Sequence, residues 1–203
     1  MRKRTILVLW VLGVVVSVQS AAVARGLLGE RYANVQFGVT RPGDSLVRSI
    51  DSSVIGFGAG LNLPVKDNVD LTFAFSHQEL DGDTWWGGDV SVDSNAFLGG
   101  ANLLLRPGQE TCPFLIGRFG LVDSDAVDTE PMIALGGGVQ FDVSENGAVT
   151  PTLVFEHVDD VDDLVLGVDG NVWFSDKFVG LAGVAVGFDE GDLAFTLGVG
   201  FAF

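Results

Sequence analysis

The feature that most constrains the fold is a strict alternation of bulky apolar residues with small ones. The C-terminal segment shows it most clearly, with Leu193, Phe195, Leu197, Val199, Phe201 and Phe203 on one parity and Ala194, Thr196, Gly198, Gly200 and Ala202 on the other. Successive side chains point to opposite faces of a β-strand, so a period of two is typical of strands. The pattern therefore predicts strands with one bulky face and one nearly bare face.

The same alternation recurs along the chain and predicts ten strands. Their predicted ranges are 31–39, 53–63, 69–78, 91–105, 114–122, 132–143, 148–157, 164–174, 178–187 and 193–203. Each strand has roughly the 9–11 residues that cross a bilayer when the strand is tilted. The sequence thus predicts an all-β protein, an antiparallel up-and-down transmembrane β-barrel of ten strands, with eight strands as the alternative.

The distribution of phenylalanine predicts which face meets lipid. Most of the 15 Phe fall on the bulky parity, whereas the opposite parity carries Gly, Ala, Thr, Asn, Gln and a few charges. A lipid-facing band with aromatic girdles has this composition, and a closed barrel pairs every backbone group. A soluble β-sandwich is the alternative, but it does not account for opposite faces so rich in glycine.

The N-terminus predicts a targeting segment. Arg2, Lys3 and Arg4 precede an apolar run at 5–18, which leads to Ala22 and Ala24 as a small-residue cleavage site. The run is shorter than the roughly 20 residues of a spanning helix, which is the alternative interpretation. We expect residues 1–24 to be a signal peptide that is removed, and residues 25–203 to form the barrel domain.

These features together resemble a known family. A signal peptide, an even number of short alternating strands and a terminal segment 197–203 ending in Phe203 are similar to the small bacterial outer-membrane β-barrel superfamily, the OmpA/OmpX-like and opacity-like proteins. The resemblance implies an integral protein of the cell outer membrane with both termini in the periplasm. It also implies that Phe201 and Phe203 are read by the barrel-assembly machinery. The best-known small members have eight strands, whereas ten are predicted here.

Acidic residues are concentrated in the connections at one predicted rim. The formal charge of −16 excludes a nucleic-acid partner, because phosphate binding needs clustered Lys and Arg. Carboxylate oxygens suit hard cations such as Ca²⁺ or Mg²⁺. We therefore predict weak cation association at this rim, without a specific metal site or cofactor, by Asp81, Asp83, Asp123, Asp125, Asp159, Asp160, Asp162 and Asp163.

Arg118 is the cation predicted to lie mid-strand on the inner face. An unpaired buried charge is costly, so a polar network should surround it. We predict that this network consists of Arg118, Asp169, Asn171, Glu156 and Asp142. The network is interpreted as a structural plug, with the polar constriction of a narrow pore as the alternative.

Two histidines and two tryptophans are the remaining candidates for chemistry or contact. His77 and His157 end matching strands beside acids, which would suit a hydrolase at the rim, but both fall on the lipid-facing parity. Trp85 and Trp86 are candidates for contact with a partner or with the membrane interface. We predict a non-enzymatic, monomeric barrel with a structural or surface-interaction role. A narrow pore for small solutes or ions is the alternative, and a rim hydrolase is less favoured.

Overall fold

The computed structural model describes residues 27–41, 53–83, 89–125, 127–189 and 191–203. The predicted signal peptide, Trp85 and Trp86 lie outside these residues. In the described part of the chain, no helix is long and apolar enough to span a membrane. The strands are β1 (Tyr32–Arg41), β2 (Ser53–Lys66), β3 (Val69–Asp83), β4 (Asp89–Leu104), β5 (Thr111–Ser124), β6 (Val127–Ser144), β7 (Gly147–Val158), β8 (Val161–Trp173), β9 (Phe178–Gly187) and β10 (Leu193–Ala202).

The ten strands form one closed antiparallel barrel. Each strand pairs with its neighbours in chain order, and β1 pairs with β10 to close the sheet, with Tyr32 opposite Ala202 and Arg41 opposite Leu193. The prediction of a ten-stranded up-and-down barrel is confirmed, and the eight-stranded alternative is wrong.

Several strands continue beyond the limits that the apolar pattern predicted. β3 runs to Asp83, which pairs with Asp89, and β5 includes Asp123. Asp81, Asp83 and Asp123 therefore belong to strands and not to connections, and Asp162 and Asp163 belong to β8. Backbone pairing needs no apolar side chains, so a strand can continue where the lipid-facing pattern has stopped.

The barrel has two distinct ends. The end called here the terminal rim carries both termini of the described chain and the turns at 67–68, 105–110, 145–146 and 174–177. The opposite end, called the loop rim, lies where β1 ends and β2 begins, and it includes the turns at 159–160 and 188–189.

The bulky parity faces outward. Phe37 and Leu197, which pair across β1 and β10, are each 68% exposed, whereas their inward neighbour Gln36 is 3% exposed. A β-sandwich would bury its bulky face, so this exposure contradicts the soluble alternative. The outward surface is a continuous apolar belt of the kind that lipid covers.

The interior is filled unevenly, and this corrects one expectation. Apart from Tyr32 and Val54, the inner faces of β1, β2 and β10 are small or polar as predicted, but those of β4–β8 carry bulky apolar side chains. With Ala185 of β9, they form one core, composed of Val92, Ala96, Leu98, Phe114, Ile116, Val122, Met132, Ala134, Val154, Val158, Val165 and Ala185.

Glycine makes room for the larger inner side chains. A Cβ atom built on Gly100 would lie 2.8 Å from Cγ of Arg118, and one built on Gly138 would lie 2.8 Å from Cζ of Phe114. A Cβ on Gly60 would lie 2.8 Å from Oδ1 of Asn34. The bare positions therefore hold neighbouring side chains and do not line an open channel.

Candidate functional site

A short turn that precedes β1 packs into the mouth of the barrel at the terminal rim. The backbone N–H of Glu30 donates to the carbonyl oxygen of Leu27 at 3.1 Å, which folds residues 27–30 into a turn named here the terminal plug. The Leu27 side chain is 1% exposed and belongs to a buried apolar cluster with Tyr32, Trp173 and Leu181. The plug therefore places an apolar side chain inside the mouth of the barrel.

Two inner side chains fasten the terminal plug to the wall. The backbone N–H of Gly29 donates to Oδ2 of Asp70 at 2.8 Å, and Nδ2 of Asn62 donates to the carbonyl oxygen of Glu30 at 2.8 Å. Gly29 has a φ of 84°, a left-handed conformation that favours glycine. The alternating pattern did not predict this terminal plug. Its local signal was an apolar Leu-Leu pair followed by glycine, outside the period of two.

The structure brings most of the predicted inner network together. Arg118 is partly buried on the inner wall and interacts electrostatically with Glu156, Tyr32 and Asp169. Arg118 pairs with Ala134, which pairs with Glu156, so only one short side chain separates the two charges along the sheet. The opposite charges can compensate each other within the interior.

Asn171 lies two residues after Asp169 on the inner face of β8, and both are buried. Asp142 does not belong to this network, which corrects the prediction. It is exposed near the terminal end of β6, where its Oδ1 accepts a hydrogen bond from Nε2 of Gln140 at 2.9 Å. The register shifts between Asp142 and Ser144, and the strand ends there, so this carboxylate reaches solvent and not the interior.

A small internal cavity lies beside the Arg118 side chain. It measures about 10 Å³ and is bounded by residues that include Tyr32, Asn34, Asn62 and Thr72. A cavity of this size holds about one water molecule. Tyr32, Asn62 and Thr72 were not predicted as site residues, although their inward parity could have indicated that they would meet Arg118.

An open cleft of about 410 Å³ lies at the terminal rim. The terminal plug contributes Glu30 to it, and the turns between β6 and β7 and between β8 and β9 contribute Glu145 and Asp176. Trp173 and Phe174 form part of its apolar lining. The cleft is therefore acidic and partly aromatic, and no pattern in the sequence predicted it.

Two acids of the loop rim accept hydrogen bonds from neighbouring groups. Oδ1 of Asp123 accepts a hydrogen bond from Oγ1 of Thr129 at 2.6 Å. Oδ1 of Asp163 accepts bonds from the backbone N–H groups of Leu164 at 2.7 Å and Asp189 at 3.3 Å.

Asp125, Asp159 and Asp160 are exposed, and the side chains of Asp81 and Asp83 lie outside the described part. Among the described residues, no group of three acids, histidines or cysteines is placed to hold a metal ion.

Both histidines make local contacts at the outer surface. Nδ1 of His77 lies 3.1 Å from Oδ1 of Asn95, and its ring centroid lies 5.2 Å from that of Phe57. Nδ1 of His157 lies 2.7 Å from Oδ1 of Asp162, within hydrogen-bonding distance. Ser76 is buried on the inner face of β3, whereas His77 lies on the outer face. These two neighbours therefore do not form a pair of nucleophile and base.

The C-terminal residues lie at the seam that closes the barrel. The N–H of Phe203 donates to the carbonyl oxygen of Arg31 at 3.2 Å, and the Phe201 ring contacts Phe178 with centroids 5.3 Å apart. Phe201 and Phe203 are 40% and 61% exposed. Their rings are therefore accessible on the outer surface.

Comparison with known proteins shows the fold. No protein-family model matches the sequence, and no curated protein matches it. The translocator domain of the autotransporter NalP from Neisseria meningitidis is similar, with a TM-score of 0.56 at 15% identity over 92% of each chain. The transport unit of the autotransporter AIDA-I from Escherichia coli has a TM-score of 0.54 at 7% identity, over 96% of this chain and 98% of that one.

An outer membrane channel from Pseudomonas putida F1 has a TM-score of 0.54 at 10% identity, and the match covers 89% of this chain and 100% of that one. At these identities the likeness concerns the fold alone. The chain has the architecture of a membrane-spanning β-barrel, and the finer resemblance to OmpA/OmpX-like and opacity-like proteins stays a prediction.

Proposed function

We propose that this chain is an integral β-barrel protein of the bacterial outer membrane with a closed interior and a structural or surface-interaction role. The observation that carries this function is the filled interior. Inner residues such as Ala96, Met132, Thr150 and Val179 are each 0% exposed. A water-filled channel would leave such residues accessible to solvent, and the Leu27 side chain of the terminal plug is buried inside one end as well.

Membrane location is supported by the apolar outer belt. A surface of this kind is unstable in water unless lipid or detergent covers it. The test is fractionation of the producing cells, followed by electrophoresis with and without heating. We expect the protein in the outer-membrane fraction, with a migration that changes on heating. A mature protein that stays soluble without detergent would overturn the proposal.

Planar-bilayer recording tests the closed interior. We expect no steady openings from refolded protein whose heat-modifiable migration shows that it is folded. A narrow pore is the second candidate function, and the partly accessible Arg118 favours it. The pore would be established by steady openings that are lost in Arg118→Gln and retained in Arg41→Gln, a control at an exposed residue of the rim. That result would refute the closed barrel.

The proposal also covers partners, cations, oligomeric state and processing. Outer-membrane lipid is the partner of the apolar belt, and the accessible Phe201 and Phe203 are the residues for recognition by the barrel-assembly machinery. The exposed acids of the loop rim would associate weakly with Ca²⁺ or Mg²⁺. The protein is proposed to be a monomer without enzymatic activity or cofactor, whose signal peptide is removed.

A further inference from the structure

Three polar side chains lie side by side on the inner wall formed by β7 and β8. Thr150 pairs directly with Asp169, and Asn171 follows Asp169 by two residues on the same face. Their exposed fractions are 0% for Thr150, 1% for Asp169 and 4% for Asn171. The three side chains are therefore enclosed within the barrel, out of reach of bulk water.

These side chains lack hydrogen bonds, as do several other polar atoms of the described inner wall, among them both amide atoms of Asn102. Within the described ranges, no group forms a hydrogen bond with either carboxylate oxygen of Asp169, with Oδ1 or Nδ2 of Asn171, or with Oγ1 of Thr150. A buried polar atom without a partner costs about 1–3 kcal/mol, and more if it is charged. Five such atoms in one place point to a bound partner. Across β8 and β9, Asp169 faces Gly183, which has no side chain to occupy the adjacent space.

The charges of the interior are also unbalanced. Among the described residues, the buried acids of the inner wall are Asp70, Glu156 and Asp169, a fourth buried acid, Asp192, directly precedes β10, and no Lys or Arg is buried. The partly buried Arg118 interacts most strongly with Glu156, and Asp70 accepts a hydrogen bond from Gly29 of the terminal plug. Asp169 is the acid of this group whose charge is least compensated.

The chemistry of the cluster selects the class of ligand. Four of its five unpartnered atoms are oxygens, which are the ligands that hard cations prefer. One carboxylate balances one positive charge, whereas a divalent ion would leave a net positive charge facing Arg118 in a medium of low dielectric constant. We propose that the barrel encloses one monovalent cation of the size of Na⁺, bound by Asp169, Asn171 and Thr150.

Linked unfolding tests this site, because unfolding gives an enclosed ion access to solvent. The refolded protein is unfolded with urea in detergent micelles at constant ionic strength, with Na⁺ replaced stepwise by choline, which is too large for the site. A ligand that binds only the folded state lowers the unfolding constant in proportion to its concentration above Kd. We expect up to a tenfold decrease for each tenfold rise in Na⁺.

Asp169→Asn keeps the shape of the side chain and removes its charge, so it should abolish the Na⁺ dependence. Asp125→Asn, an exposed control at the loop rim, should retain the full dependence. Thr150→Val should shift the Na⁺ response to higher concentration, and it provides a second test if Asp169→Asn does not refold.

Equal stability of the wild type in Na⁺ and choline would overturn the site. So would a Na⁺ response that survives in Asp169→Asn or is unchanged in Thr150→Val. If Ca²⁺ stabilises the protein through Asp169 and Na⁺ does not, the assignment of a monovalent ion is refuted. Because none of these measurements depends on conductance or cellular location, the result is distinguishable from a failure of the proposed function.

Discussion

Substitution of two adjacent glycines of β4 tests whether the inner side of the barrel wall is close-packed and the outer side is not. Gly99 faces outward, and a Cβ atom on it would lie 3.6 Å from the Phe73 ring, an ordinary contact. A Cβ atom on Gly100 would overlap the carbonyl oxygen of Gly117 and lie 2.8 Å from both Cα and Cγ of Arg118. Gly100→Ala therefore forces backbone and side chain apart, whereas Gly99→Ala adds a methyl group to the lipid-facing surface.

The difference between the two variants isolates the packing of the interior. Replacing glycine with alanine reduces the entropy of the unfolded chain and is worth about 0.4–1 kcal/mol where the backbone tolerates it. This gain is common to both variants, because both residues lie in the same strand. Overpacking a filled interior costs about 1–3 kcal/mol. We expect Gly100→Ala to be less stable than Gly99→Ala by about that amount.

The assay is equilibrium urea unfolding of both variants and the wild type in lipid vesicles, followed by tryptophan fluorescence and by heat-modifiable migration. Agreement of the two probes allows a two-state free energy of unfolding to be used. Equal stability of the two variants would show that Arg118 and the neighbouring backbone yield without cost. That result would refute the description of the interior as close-packed.

Four further substitutions test other parts of the structure by the same unfolding assay. Phe119→Arg places a charge in the middle of the apolar belt and should lower the free energy of unfolding by about 2–4 kcal/mol. Phe174→Arg at the terminal rim should lower it by about 1 kcal/mol or less. Equal losses would contradict the assigned belt. Leu27→Ala should cost about 2–5 kcal/mol, since the side chain is buried, and an unchanged midpoint would show that the plug does not pack. His157→Gln should cost less than about 1 kcal/mol, because His157 and Asp162 are both exposed; a larger loss would give the pair a structural role.

The strand count was predictable because each strand must present apolar side chains to lipid on alternate residues. This requirement leaves a periodic record in the sequence, as in the segment that ends at Phe203. The inner face has no such requirement. Ile116 and Met132 point inward although they are bulky, and their cross-strand partners are the bare Gly136 and Gly120. Which inner side chains share that space depends on contacts across the barrel, and alternation does not encode them.

The candidate site was predictable in part for the same reason. Arg118, Glu156 and Asp169 share the inward parity, so the sequence placed them in one enclosed space, and the structure shows their electrostatic interaction. Asp142 has the same parity but lies close enough to the end of its strand to reach solvent. The terminal plug is held by Asp70 and Asn62, which are far from it in sequence and carry no periodic signal.

Because the interior is filled, the acidic residues act differently from those of an open barrel. An open barrel would use interior charges to select solutes, but here the inner carboxylates are buried and exposed acids remain at the rims. At the loop rim, Asp125, Asp159 and Asp160 are exposed and are needed neither for the apolar belt nor for interior packing. Their negative charge attracts cations and repels anions that approach from that side, over about a Debye length of 8 Å in physiological salt. The proposed surface role therefore predicts salt-sensitive binding to cationic partners through this rim.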